Sequence, residues 1–171
     1  PAELIDRIHS VGIRNALINT IAPTGTTSIL FGYLPGGCEP VFLLEQDRKV
    51  RMGNKDDEWK EYKNVPDYTL QLYMKHFGLN SAPHKSDRPE YLVESDQITI
   101  DEHIRVQAAL QEWVDASVSK TINCPEDISF EDFQDVYTLA FERGCKGCTT
   151  YRPSDVRGSI LSDPNAGKRP D

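Results

Sequence analysis

Residues 16–22 read ALINTIA, an apolar run too short for a core helix, and Pro23 stops it. Pro23, Thr24, Gly25, Thr26, Thr27 and Ser28 then crowd a proline, a glycine and four hydroxyl side chains into one turn, before the apolar Ile29-Leu30-Phe31. A strand, a tight polar turn and the start of a helix, in that order, narrow the choices for the fold. A strand that leaves into a helix pairs most readily in parallel with another strand, so the expected class is α/β. Three further runs supply strands: Pro40–Leu44, 118–124 (VSKTINC, bounded by Pro125) and 145–151.

Helices are expected between them. Residues 2–12 carry Leu4, Ile5, Ile8 and Val11 at helical spacing. Pro66 suits the first turn of a helix whose face is Leu70, Tyr73, Met74 and Phe77, with Gly78 as its stop. Val106, Ala109, Leu110, Trp113 and Val114 form a second apolar face. Ser129 and Asp132 read as a capping box before a third face, Phe133, Val136, Tyr137, Ala140 and Phe141, closed by Gly144. The charged stretch from Glu45 to Lys63 and the polar residues 79–99 read as surface loops. About four strands make a thin complete parallel sheet, so a portion of a larger sheet or barrel is the sharper expectation.

The totals limit the function. The chain has 171 residues, 38% hydrophobic and 27% charged, which suits one globular domain without a transmembrane run or a signal peptide. Its start at Pro1, without methionine, is expected of a fragment or a processed product. A net charge of −8 argues against a nucleic-acid polymer as partner. A single nucleotide stays compatible, because oriented N–H groups hold phosphate without a basic face. Four cysteines at irregular spacing indicate reduced thiols and a cytoplasmic setting.

The turn Pro23–Ser28 has two readings. Its hydroxyls and the amides of the helix behind it suit a phosphate, and they equally suit ordinary helix capping. It is no Walker loop, lacking the Gly-Lys-[ST] ending. Cys145 and Cys148 have CxxC spacing, which fits either two buried thiols or a candidate redox pair; zinc would need a second close pair. Ser119-Lys-Thr-Ile-Asn123 is either a polar substrate edge or an exposed sheet edge. His9, His76, His84 and His103 are too scattered for a metal, with His84 in a loop and His103 expected to be solvated or capping. Glu39, before Pro40, stands acidic among apolar residues, a candidate to pair with backbone or with a base.

Taken in order, Gly12-Ile-Arg-Asn15, Ile21-Ala-Pro-Thr-Gly-Thr26, Gly37-Cys-Glu-Pro-Val-Phe42, His103-Ile-Arg-Val-Gln107, Ser119-Lys-Thr-Ile-Asn123 and Gly144-Cys-Lys-Gly-Cys-Thr-Thr-Tyr-Arg152 form one ordered set. This set resembles the C-terminal part of the catalytic barrel of class II, adenosylcobalamin-dependent ribonucleotide reductase, over residues 1–161, with 162–171 a flexible tail. The resemblance implies the last portion of a ten-stranded α/β barrel, completed by an N-terminal half. It implies that Pro23, Thr24, Gly25, Thr26, Thr27 and Ser28 cradle the phosphates of a ribonucleotide substrate. It also implies thiyl-radical chemistry whose cysteine, together with most cobalamin contacts, lies upstream of this segment. The alternatives are a non-catalytic nucleotide-binding or complementing subunit, and a CxxC redox protein.

Overall fold

The structure, a computed structural model, describes residues 1–52, 59–153 and 161–162. In chain order the elements are α1 (Ala2–Val11), α2 (Gly25–Leu30), β1 (Glu45–Arg51), β2 (Trp59–Pro66), α3 (Tyr68–Phe77), α4 (Ile100–Gln111), β3 (Thr121–Asn123), α5 (Phe130–Glu142), β4 (Thr149–Tyr151) and β5 (Leu161–Ser162). The fold is mixed α/β. Apart from β5, which includes Ser162, the expected tail lies outside the described residues.

The parallel pairing is present. β3 and β4 run parallel, with Thr121 opposite Thr149 and Asn123 opposite Tyr151. The run 16–22 contributes a single parallel bridge, Ile21 to Val118, flanked by hydrogen bonds from the Ile21 amide to the Ser117 carbonyl and from the Ser119 amide to the Ile21 carbonyl. Its lower end is held by a side chain: the Asp115 carboxylate accepts from the Ile18 and Asn19 amides at 2.7 and 2.9 Å.

Two strand expectations are corrected. Pro40–Leu44 forms no strand. Side-chain and loop contacts hold it instead: the Leu44 amide donates to Glu94 Oε1 at 3.0 Å, and Ser95 binds the Val41 and Phe42 carbonyls. Leu44 is apolar because it packs with Leu70 and Leu92 in a small core. The stretch 45–63, read as loop, contains a hairpin: β1 pairs antiparallel with β2, and β5 adds to its other edge. Its strands carry too many charges to show period-two patterning. Cross-strand pairs such as Lys49 with Glu61 support them, and Asp47 accepts from Lys63 Nζ and the Asn64 amide, both at 2.9 Å, beside a register shift. Pro66 ends β2 rather than opening α3, which Asp67 caps by accepting from the Thr69 amide.

The main core lies where α4 and α5 cover β3 and β4. It consists of Ile104, Ile122, Cys124, Val136, Ala140 and Cys145, with Phe133 and Leu139 packed against it. Here too a prediction inverts. The expected apolar face of α4 points outward, with Val106 48% and Trp113 81% exposed, while His103, Ile104, Gln107 and Gln111 are buried. The buried amides bind turns that have no ladder partner. Gln107 Nε2 donates to the Val118 and Gly147 carbonyls, and Gln111 Nε2 to those of Val114 and Ala116. Phe141, expected on the buried face of α5, is likewise 80% exposed.

The inversion gives a contrast measurable by denaturant unfolding of the chain. Gln107→Leu leaves two carbonyls without their donor and is expected to cost about 1–3 kcal/mol. Val106→Gln, on the apolar stripe, is expected to stay within about 0.5 kcal/mol.

Candidate functional site

The three parallel segments 20–22, β3 and β4 send their carboxyl ends the same way, the usual ligand side of an α/β sheet. The turn Pro23–Ser28 leaves the first of them. Thr24 sits in the left-handed region at φ 48° and makes no side-chain cap to α2. Its Oγ1 instead accepts from the Gly37 amide at 2.7 Å. Ser28 Oγ donates to the Leu34 carbonyl, so that hydroxyl proton is engaged within the fold. The first helical bond of α2 is Ser28 N–H to the Thr24 carbonyl. Among the described residues, no hydrogen bond satisfies the amides of Gly25, Thr26 and Thr27. A Cβ on Gly25 would meet nothing within 4 Å, so the turn is uncovered at that position.

The other side of the turn is closed. A Cβ on Gly36 would collide with the Pro23 carbonyl, and one on Gly37 would lie 2.5 Å from the Ala22 carbonyl. Gly37 also has φ 57°, a left-handed value that favours glycine. Residues 33–39 thus fold back as a tight brace against the turn, and the brace ends at Glu39.

Glu39 reaches β3. Its Oε1 accepts from the Thr121 amide at 2.5 Å and its Oε2 from Lys120 Nζ at 2.7 Å. Lys120, with a side chain only 1% exposed, also donates to His103 Nδ1 at 2.9 Å and to the Thr121 carbonyl at 2.8 Å. An ammonium only donates, so Nδ1 must accept and the neutral ring carries its proton on Nε2. That assignment agrees with electrostatics. Burial first, then the Lys120 charge, pushes the His103 pKa below its ordinary value; the Ser95 backbone, Glu39 and Glu102 oppose them.

His103 is therefore neither solvated nor capping, as position alone suggests, but fully buried. His84 does cap a turn in its loop, accepting from the Ser86 amide. The segment 119–123 divides by strand parity. Lys120 shares the helix-facing side with Val118 and Ile122, all buried, whereas Asn123 lines a cavity of about 840 Å³ with Phe42 and Tyr151 at the strand ends. That parity was the available signal for Lys120. Cys145 is buried and Cys148 is half-buried beside the same core. Burial raises both thiols, and for Cys148 the neighbouring Cys145 and Cys124 add to it, the direction opposite to that of a reactive thiolate.

A histidine held neutral loses stability in acid. Protons are taken up by the unfolded state first, so stability is full above 6.5, the ordinary His value, and falls as pH drops below it toward the lowered folded value. Glu94, which burial would raise but Lys85, the Leu44 amide and Arg88 hold below 4.5, stabilises the fold above 4.5 and loses that contribution only as pH falls below it. Between those two values the fall should be flattened by His103→Asn, whose Oδ1 keeps an acceptor for Lys120 without titrating; urea unfolding at a series of pH values measures it.

Comparison with known proteins identifies the family. The family described as "Ribonucleotide reductase, barrel domain" matches residues 1–151. The chain is 29% identical over 162 residues to a vitamin B12-dependent ribonucleoside-diphosphate reductase of Thermoplasma acidophilum, covering 90% of this chain and 21% of that protein. A protein of the same name from Mycobacterium tuberculosis is 29% identical over 158 residues, covering 87% of this chain and 22% of the relative. A vitamin B12-dependent ribonucleotide reductase of Streptomyces coelicolor is 28% identical over 168 residues, covering 88% and 17%. The chain spans about a fifth of the length of these relatives. It belongs to the ribonucleotide reductase barrel-domain family.

Proposed function

We propose that this chain is the C-terminal part of the catalytic barrel of an adenosylcobalamin-dependent ribonucleotide reductase, and that the turn Pro23–Ser28 holds the substrate phosphates. The observation that carries the reading is the set of three amides at Gly25, Thr26 and Thr27, which no hydrogen bond among the described residues engages, beside an uncovered Gly25. Capping, the competing use of these hydroxyls, finds no support at Thr24, whose side chain is turned to Gly37. Within the turn, Thr26 and Thr27 offer hydroxyls, Gly25 allows close approach, and Pro23, Thr24 and Ser28 shape the loop. The names of two of the relatives favour a ribonucleoside diphosphate as substrate.

The segment's part in the reaction is to bind and orient. Backbone amides gripping the phosphates fix the ribose at a set distance from whatever reacts with it, and a chain of net charge −8 does this without lysine. Adenosylcobalamin is the cofactor proposed for the complete enzyme, where homolysis of its Co–C bond supplies the radical. Most of its contacts are proposed to lie outside this segment. His103 has Nδ1 occupied by Lys120, His84 caps its turn, and no three His, Cys, Asp or Glu side chains among the described residues converge on a metal position.

An N-terminal half-barrel is the partner this reading requires. Apolar side chains left exposed on α1 (Leu4, Ile5, Val11), after α1 (Leu17, Ile18) and on α4 support it. Segment 16–22, bridged among the described residues only by Ile21 to Val118, does so as well.

The test is a titration of the chain with a ribonucleoside diphosphate, followed through backbone amide NMR. Shifts confined to residues 25–28, abolished by Gly25→Val, are expected. A Cβ at Gly25 meets nothing within 4 Å, so the substitution starts from an uncovered position of the turn. Absence of shifts in the folded chain, persisting after the N-terminal half is added, would overturn the phosphate reading.

A further inference from the structure

The parallel ladder between 20–22 and 117–121 breaks in an instructive place. The Ser119 amide donates to the Ile21 carbonyl at 2.8 Å. Two residues on, the Thr121 amide faces the same edge, and an unbroken parallel ladder would give it the Pro23 carbonyl. Gly36 packs against that carbonyl instead. The Thr121 amide is taken by Glu39 Oε1 at 2.5 Å. A side chain therefore completes the backbone ladder where the first strand turns away into residues 23–28.

Such a substitution buries part of a carboxylate, and the fold neutralises it locally. Glu39 Oε2 receives Lys120, and the other two ammonium protons of Lys120 go to His103 Nδ1 and the Thr121 carbonyl. The three side chains form a unit of zero net charge when the imidazole is neutral. They come from three places in the chain: the brace after the turn, the face of α4, and β3. The same brace carries Gly36 and Gly37, which lie against the carbonyls of Pro23 and Ala22, and Glu39 is tied to it by its own amide, which donates to the Gly36 carbonyl at 3.0 Å.

We propose that Glu39, Lys120 and His103 act as a latch that sets the position of the Pro23–Ser28 turn, making them positioning residues for substrate phosphate that do not touch it. The inference rests on the phosphate reading of that turn. It assigns a role to a glutamate, a lysine and a histidine that lie behind the binding surface. The latch has a chemical sensitivity of its own. Protonated His103 would present a cation to Lys120, offset by Glu39, Glu102 and the Ser95 backbone.

The experiment uses the complete reductase containing this chain, with inorganic pyrophosphate as a competitive probe and a ribonucleoside diphosphate as substrate. Gly25→Val serves as the control for the phosphate reading, and its inhibition constant for pyrophosphate should rise. Glu39→Gln, which leaves Lys120 buried without its counter-charge, should raise both that constant and KM by roughly 10- to 100-fold while kcat holds within about twofold. If it fails to fold, the pair Glu39→Gln with Lys120→Met removes both charges and gives the same readout. His103→Asn should bind normally near neutral pH and lose the weakening of pyrophosphate binding expected of the parent enzyme as pH falls toward the lowered His103 value. An unchanged pyrophosphate constant in the Glu39 variants, with only thermal stability lowered, would make the cluster a plain structural brace and overturn the proposal. Pyrophosphate binding untouched by Gly25→Val as well would locate the failure in the phosphate reading itself.

Discussion

One carboxylate joins the two halves of this structure. Glu39 binds a backbone amide of β3 with one oxygen and a buried ammonium with the other. Without it, the Thr121 amide and the buried Lys120 lose the acceptor that ties the brace after the turn to β3. Burying a lysine is costly unless its charge is matched and its protons are all accepted, and both conditions are met here. The acceptor role of His103 Nδ1 toward Lys120 is part of that match.

The same logic governs the polar face of α4. His103, Gln107 and Gln111 recur every four residues along the helix and all point inward, where they serve backbone and lysine groups that the short strands leave unpaired. A complete sheet would satisfy many of those groups by its own ladder. Three-residue strands cannot, so side chains take over the task.

The legible parts of the fold were those set by local rules. Ser129 before α5, Gly78 after α3, and the apolar spacing of α1 marked their helices, because caps and periodicity act within a few residues. The strand of 118–124 and its parallel partner were also legible from turn punctuation. What failed were judgements that depend on neighbours. Val106 and Trp113 look like a core stripe, yet the face that packs is the polar one, because distant turns present carbonyls to it. The hairpin β1–β2 was hidden by its charges, and Pro40–Leu44 looked like a strand although its burial comes from loop contacts. At the site, the hydroxyl cluster announced itself, and Glu39 stood out as an acid among apolar residues. Nothing nearby in sequence could name its partners, which lie 81 and 82 residues away.

Those separations also bear on how the chain comes to be folded. Thr20 finds its partner at Ser117, 97 residues later, and the Glu39 clamp closes over a similar span. At roughly 5–20 residues per second, a ribosome takes on the order of 5–20 seconds to deliver the second half of each contact. During that interval the Ile21 bridge and the Glu39 bonds to β3 have no partner to close on. Loop closure of this length is slow to nucleate compared with the helices that form beside it. The turn is thus among the last features to take shape during synthesis, and its assembly waits on the arrival of β3.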